Sequence, residues 1–221
     1  MKLLFSALIK FIIGLLFVGG LLFLPAGSLA YMNAWLFIGL LFLPMLILGA
    51  ILLFKAPDLL KKRLNAKEEE DTQKGVVAVS ALLFIAGFVV AGLDFRFGWS
   101  YVPMWVIIIA SVILLISYAL YAEVMRENAY LSRTIEVQEN QTVVDTGLYG
   151  VVRHPMYAAT VWLFLAIPVV LGSWWALLCF APYVLVIVIR IHNEEKVLTQ
   201  GLAGYAEYKK RVKYRLIPWI W

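Results

Sequence analysis

Two short groups of residues in the C-terminal half have types and spacings that could carry chemistry. The first is Arg153-His154-Pro155, with Tyr157 close behind, directly before an apolar stretch. Proline is tolerated in the first turn of a helix, where its missing N–H is not needed, so we expect His154 near the N-cap. The free N–H groups and the positive end of such a helix bind anions. The sequence therefore predicts an anion site where this helix begins.

The second group follows the last apolar stretch, where Arg190 and Glu194 stand four residues apart. On a helix these two side chains share one face. Ionisable groups next to an apolar span are costly and often functional, although a simple ion pair at a helix end also explains them. The first group has structural alternatives as well: Arg153 as an anchor at the membrane surface and His154 as a helix cap.

Several other kinds of chemistry are excluded by what the sequence lacks. His154 and His192 are the only histidines and Cys179 is the only cysteine, so we expect no metal site and no intrachain disulfide. The chain contains neither a G-x-G-x-x-G nor a G-x-x-x-x-G-K-[ST] motif. No Ser or Cys stands beside a His as a nucleophile pair.

The elements that must position these residues are membrane helices. Of 221 residues, 63% are hydrophobic and 15% are charged, which excludes a typical soluble enzyme. The net charge is +5, but the long apolar runs argue against a nucleic-acid binder. We predict an all-α, polytopic membrane protein with about six transmembrane helices. The expected spans are Leu3–Leu24, Tyr31–Phe54, Gly75–Leu93, Val102–Ala122, Pro155–Leu171 and Trp174–Ile191.

The distribution of Lys and Arg predicts the orientation of these spans. Eighteen of the 19 basic residues fall at the termini or in connections on one side, and Arg96 alone falls on the other. The positive-inside rule then places both termini in the cytoplasm. We expect one membrane-embedded domain over residues 1–221. Residues 1–136 would supply the N-terminal spans, and residues 137–221 would supply a loop, a helical hairpin and a cytosolic catalytic tail.

The C-terminal half resembles a known family in three motifs. These are Thr146-Gly147-Leu148-Tyr149-Gly150-Val151-Val152-Arg153-His154-Pro155-Met156-Tyr157, then Arg190 through Glu195, then Tyr205-Ala206-Glu207-Tyr208-Lys209-Lys210-Arg211-Val212. Over residues 137–219 this pattern resembles the isoprenylcysteine carboxyl methyltransferases and, more loosely, the related phospholipid methyltransferases. The resemblance implies an integral membrane enzyme that uses S-adenosylmethionine and acts on a lipophilic acceptor in the bilayer.

Matched residue by residue, the resemblance also implies a site. Arg190 would face the methyl acceptor, and Arg153 is a second candidate catalytic residue. The implied cofactor-binding residues are Gln138, Gln141, Thr142, Val143, Val144, Tyr149, His154, Pro155, Met156, Tyr157 and Glu194. The chain departs from the family at Gln141, where some members have histidine, and at Ala159, where members often have glycine.

The chemistry fits an acceptor carboxylate, because a carboxylate with a pKa of about 4 is already ionised and needs no general base. A prenylcysteine-type carboxyl terminus is the acceptor that the resemblance favours. A phospholipid amine and a small thiol are alternatives within the methyltransferase hypothesis. Two further hypotheses involve no methyl transfer: an NADPH-dependent reductase of the sterol type and a non-catalytic membrane scaffold. Substrate alignment and exclusion of water would be the main tasks of the protein in a methyl transfer.

Overall fold

The structure is a computed structural model that describes residues 2–64, 71–131 and 137–221. Lys67 and Arg133, which count toward the charge bias, lie outside the described residues. Within the described ranges the chain forms helices and no strand. The helices are α1 (Lys2–Ala26), α2 (Met32–Lys55), α3 (Pro57–Leu64), α4 (Asp71–Phe97), α5 (Met104–Glu127), α6 (Pro155–Val170), α7 (Trp174–Phe180), α8 (Tyr183–Gly201) and α9 (Tyr205–Arg211), with a 3-10 turn at Gly147–Gly150.

Most of these helices are long and apolar enough to cross a bilayer. In the described part of the chain five stretches qualify: Leu3–Ala26, Met32–Lys55, Lys74–Phe97, Met104–Glu127 and Trp174–Gly201. The predicted all-helical, polytopic fold is confirmed. The remaining predicted span, Pro155–Leu171, corresponds to α6, which has only 16 residues. At 1.5 Å per residue it is about 24 Å long, against about 30 Å of hydrocarbon, so the count of six is approximate.

The predicted last span, Trp174–Ile191, lies within the candidate span Trp174–Gly201, but the helical segment ends ten residues later than predicted and is not continuous. The chain forms two helices here, α7 and α8, and the second continues to Gly201. The break falls at Ala181 and Pro182, because proline has no N–H to donate and its ring clashes with the preceding helical turn. Helix α8 continues for nearly three turns beyond Ile191, and this extension carries Glu194 and Glu195.

Glycines on α4 allow the bundle to pack closely. A Cβ added at Gly92 would lie 2.6 Å from the carbonyl oxygen of Leu22 on α1. A Cβ added at Gly87 would lie 2.3 Å from the ring of Phe180 on α7. Small residues of this kind let membrane helices approach each other where no hydrophobic effect drives them together. Helix α4 therefore stands between the N-terminal pair of helices and the C-terminal hairpin.

Buried polar groups lock one end of the bundle, which we call the far end. Asp94 is 2% exposed and accepts hydrogen bonds from the backbone N–H of Ser100, at 2.8 Å, and from the hydroxyl of Ser173, at 2.5 Å. The hydroxyl of Tyr31 donates to the carbonyl oxygen of Leu171 at 2.6 Å. Buried polar groups need hydrogen-bond partners, because a buried group without a partner would cost about 1–3 kcal/mol of stability. These bonds hold the α6–α7 turn against α2 and α4.

The opposite end, the site end, gathers the ends of α2, α5 and α8, the start of α6 and the short helix α3. The segment after α8, residues 202–221, is called the tail, and it folds back over the start of α6. The backbone N–H of Arg153 donates to the carbonyl oxygen of Tyr214, and that of His154 donates to the carbonyl oxygen of Arg215, both at 2.9 Å. The tail thus covers the residues that the sequence singled out.

Candidate functional site

A polar cavity opens at the site end, between the end of α5, the loop before α6, the start of α6, the end of α8 and the tail. Eleven of the 13 predicted site residues line it: Gln141, Thr142, Val143, Val144, Tyr149, Arg153, His154, Met156, Tyr157, Arg190 and Glu194. Residues up to 53 positions apart are thus brought into one cavity. Gln138 and Pro155, the other two, are not among its lining residues.

The start of α6 has the predicted local structure. His154 is the N-cap residue and Pro155 is the first residue of the helix. The N–H groups of the first helical turn have no carbonyl partner within the helix, and Met156 and Tyr157 belong to that turn. Both residues line the polar cavity. The predicted anion-binding helix terminus therefore lies at its wall.

A tyrosine hydroxyl joins the two charged residues of α8. Arg190 Nε donates to Tyr157 Oη at 2.9 Å, and Tyr157 Oη donates to Glu194 Oε2 at 2.6 Å. Tyr157 is 5% exposed, whereas Arg190 and Glu194 are half-buried. The spacing of Arg190 and Glu194 suggested an ion pair, and the Tyr157 hydroxyl contacts both of these side chains. The arrangement fixes both charged groups relative to the start of α6.

The strongest electrostatic cluster is centred on Glu195, which the sequence analysis did not single out. Glu195 is 3% exposed, and its Oε1 accepts a hydrogen bond from Arg153 Nε at 2.7 Å and lies 3.3 Å from His154 Nε2. Its Oε2 lies 3.2 Å from Arg215 Nε and 3.6 Å from Lys209 Nζ. One buried carboxylate thus joins the start of α6 to two basic residues of the tail.

The geometry gives Arg153 a structural task. Its Nη1 donates to the carbonyl oxygens of Val212, at 2.6 Å, and Lys213, at 2.9 Å, while its Nε binds Glu195. These hydrogen bonds pair the Arg153 guanidinium with other groups of the protein. Arg153 borders the polar cavity, but its described partners make it the clamp that holds the tail on the start of α6.

The loop before α6 is held by residues that sequence reasoning missed. Glu127, at the end of α5, accepts a hydrogen bond from the backbone N–H of Leu148 at 2.9 Å. Gly147 has φ +53°, and a Cβ there would lie 1.5 Å from a carboxylate oxygen of Glu127. Asn128 Nδ2 donates to the hydroxyl of Tyr149 at 2.9 Å. The glycine of the Asp-Thr-Gly turn is therefore the sequence signal that could have located this contact.

Gln138 supports the same loop from outside the cavity. Its Oε1 accepts from Lys62 Nζ on α3 at 2.6 Å, and its Nε2 donates to the carbonyl oxygen of Tyr130 at 2.5 Å. Its backbone N–H donates to Gln141 Oε1 at 2.8 Å. The structure thus assigns Gln138 contacts that position Gln141, which does line the cavity.

One buried polar atom at the cavity has no protein partner. Tyr205, from the tail, is 4% exposed and lines the polar cavity, yet its hydroxyl makes no hydrogen bond with any described residue. Burial raises the pKa of this hydroxyl well above its usual value, and the Glu195 carboxylate raises it further. The Tyr205 hydroxyl is therefore protonated at neutral pH and can donate a hydrogen bond. The other lining residues that the sequence analysis missed are Asn128, Tyr130, Leu131, Leu198, Leu202 and Tyr208.

A second cavity, the apolar groove, lies on the other side of Tyr157. Its volume is about 370 Å³, and Met156, Tyr157 and Arg190 line both it and the polar cavity. Most of its walls are apolar side chains of α4, α6 and α8, such as Val77, Phe164 and Ile187, and it lies within the membrane-spanning part of the bundle. Its volume falls in the range of small-molecule sites, which span about 300–1,000 Å³.

Comparisons with known proteins give two similarities. Residues 101–203 match the profile of the family described as phospholipid methyltransferase. A solved structure of a eukaryotic intramembrane Ras methyltransferase, isoprenylcysteine carboxyl methyltransferase, is similar with a TM-score of 0.54. The alignment covers 92% of this chain and 74% of that chain at 19% identity, so it shows a shared fold. A search of curated proteins finds no match.

Both similarities are to methyltransferases, and one of these is intramembrane. The predicted resemblance to integral membrane methyltransferases is confirmed, and with it the membrane fold. The fold is similar to that of isoprenylcysteine carboxyl methyltransferase. The segment that matches the phospholipid methyltransferase profile contains every residue that lines the polar cavity up to Leu202. These similarities favour a methyltransferase over the reductase and the scaffold.

We predict that Glu195→Gln releases the tail, because the substitution removes the charge that pairs with buried Arg153. Breaking a buried ion pair from one side costs about 3–5 kcal/mol. Limited trypsin digestion of the detergent-purified protein should cut the tail, which contains Lys209 and Arg215, much faster than in the wild type. Glu207→Gln, an exposed change on α9, is the control and should leave the cleavage rate unchanged. Equal cleavage rates in Glu195→Gln and wild type would contradict the role of this cluster.

Proposed function

We propose that the protein transfers a methyl group from S-adenosylmethionine to a lipophilic acceptor at the cytosolic membrane interface, and that the accepting group is a carboxylate such as a prenylcysteine-type carboxyl terminus. The observation that carries the proposal is the wall shared by the two cavities. Tyr157 and Arg190 border the polar cavity on one side and the apolar groove on the other. A polar cofactor and an apolar acceptor can therefore meet at this wall.

The residues of the polar cavity fit the cofactor. S-adenosylmethionine carries a carboxylate, an amine and ribose hydroxyls, and it supplies an electrophilic methyl group on a positively charged sulfur. The N–H groups at the start of α6, at Met156 and Tyr157, suit the carboxylate. Glu194 can accept hydrogen bonds from the amine or the ribose hydroxyls. The buried Tyr205 hydroxyl lacks a protein partner and offers a donor for a cofactor oxygen.

Arg190 would hold the acceptor. A guanidinium binds a carboxylate by charge-assisted hydrogen bonds, and the hydrogen bond from Arg190 Nε to Tyr157 fixes its orientation. The acceptor carboxylate is already ionised at neutral pH, so the protein need not remove a proton. Binding, alignment and exclusion of water are then the tasks of these residues. The buried position of Tyr157 keeps water away from the wall where the two substrates meet.

A phospholipid amine is the second candidate acceptor, because residues 101–203 match the phospholipid methyltransferase profile. An ammonium group must first lose a proton, and Arg190 would repel it. Product analysis after incubation with labelled S-adenosylmethionine separates the two acceptors. A base-labile methyl ester indicates a carboxylate, whereas a stable N-methyl group indicates an amine.

The central prediction concerns Glu194 and Arg190, which we expect to act on different substrates. Glu194→Gln removes a charged acceptor from the polar cavity and should weaken S-adenosylmethionine binding about tenfold. Arg190→Gln should leave that binding within about twofold of wild type and lower methyl transfer. Isotope-labelled cofactor and detergent-purified protein measure both quantities. Failure of the folded wild type to bind S-adenosylmethionine would sink the proposal, and NADPH binding in its place would support a reductase.

A second prediction uses the unpaired hydroxyl of Tyr205. Tyr205→Phe should weaken S-adenosylmethionine binding about fivefold to tenfold, the loss of one buried hydrogen bond, without lowering the melting temperature. Tyr208→Phe is the matched control, since the Tyr208 hydroxyl donates to the carbonyl oxygen of Tyr149 at 2.8 Å. That change should lower the melting temperature. Unchanged cofactor binding in Tyr205→Phe would remove Tyr205 from the site.

The proposal also places both termini, and with them the site end, on the cytoplasmic side. The charge bias supports this orientation. In a Cys179→Ser background, Trp99→Cys at the far end should react with a membrane-impermeant maleimide on intact cells, whereas Glu207→Cys in the tail should react only after permeabilisation. Both positions are exposed, so access across the membrane decides the result. Labelling of Glu207→Cys on intact cells would reverse the orientation.

A further inference from the structure

A second arginine lines the apolar groove at the site end. Arg63 is the penultimate residue of α3, and it lines the groove together with Arg190. It lies outside residues 101–203, so the family match says nothing about it. Among the described residues that line the groove, two are guanidinium groups and none is a carboxylate. The two cationic residues that line the groove therefore come from two different parts of the chain.

The position of Arg63 is set by its surroundings. Its Nη1 lies 3.9 Å from Met156 Sδ, and its guanidinium carbon lies 5.3 Å from the centre of the Tyr121 ring. Leu59 and Leu60, on the same short helix, are 7% and 6% exposed and fasten α3 to the bundle. Because Met156 lines both cavities, Arg63 is held beside the wall where the cofactor and the acceptor would meet.

The charges around Arg63 favour a particular class of ligand. Its neighbour Lys62 binds Gln138 of the loop, while Arg63 borders the groove. An apolar groove with cations at its polar end matches an amphiphile whose hydrocarbon part lies among α4, α6 and α8 and whose headgroup is anionic. A zwitterionic or cationic headgroup would bring an ammonium group toward the two guanidinium groups.

We propose that Arg63 is a second acceptor-binding residue, and that the acceptor is an acidic amphiphile whose anionic headgroup contacts Arg63 as well as Arg190. The inference rests on the proposed function for the placement of the acceptor in the groove. It adds a binding residue from the N-terminal half of the chain. Arg63 and Arg190 together would select the anion, and Arg190 alone would face the transferred methyl group.

The test compares two probes that differ only in headgroup charge. N-palmitoylglycine carries a carboxylate, and N-palmitoylglycinamide is its neutral counterpart. We expect the wild type in detergent to bind the acid at least tenfold more tightly than the amide. Arg63→Gln should reduce that preference roughly tenfold, the effect of losing one charge-assisted hydrogen bond, and Arg63→Lys should retain most of it. Lys61→Gln removes the same charge from an exposed position on α3 and should retain the full preference.

Each outcome bears on the inference. A wild type that binds both probes equally, or prefers a phosphatidylethanolamine probe, overturns it even if Arg63→Gln fails to fold. An equal loss of acid and amide binding in Arg63→Gln assigns Arg63 to packing and also overturns it. S-adenosylmethionine affinity, measured in parallel, should be unchanged in Arg63→Gln. If the wild type binds the acid through Arg63 but never binds S-adenosylmethionine, the proposed function fails and the anion site stands.

Discussion

The buried carboxylate of Glu195 is the interaction on which the rest of the site depends. It is 3% exposed and pairs with Arg153 at the start of α6 and with Arg215 of the tail. A charge at such depth is tolerated only with close partners, and removal of either partner is expensive. These contacts hold the tail over the start of α6. That position places Tyr205 at the polar cavity and completes its wall.

The membrane imposes the second constraint, which is length. Helix α6 has 16 residues between Pro155 and the turn at Gly172, so it is shorter than the bilayer core is thick. Helix α8 is longer and continues past the end of its apolar part to Gly201. The start of α6 is therefore met by the polar extension of α8, and Tyr157 contacts Arg190 and Glu194 there. The polar cavity thus adjoins the apolar groove where α6 begins.

Much of the fold and most of the lining of the cavity could be predicted from the sequence. Long apolar runs predict membrane helices because a helix satisfies all of its backbone hydrogen bonds within one segment of the chain. The Arg-His-Pro pattern predicts a helix start because proline is suited to the first turn. The break at Pro182 and the extension of α8 were missed, since the periodicity of an apolar run does not mark where a helix kinks. Glu195 was passed over because its neighbour Glu194 matched the family pattern.

The roles of the arginines show most clearly what the sequence determines and what only the tertiary structure decides. The sequence by itself determined the class of protein, the membrane frame, the helix start at Pro155 and the group of residues around it, because apolar length, proline geometry and motif spacing are local properties. Tertiary structure alone decided that Arg153 clamps the tail, that the Tyr157 hydroxyl bonds to both Arg190 and Glu194, and that Arg63 joins the groove. These are contacts between segments far apart in the chain, and the packing of the helices determines which side chains meet.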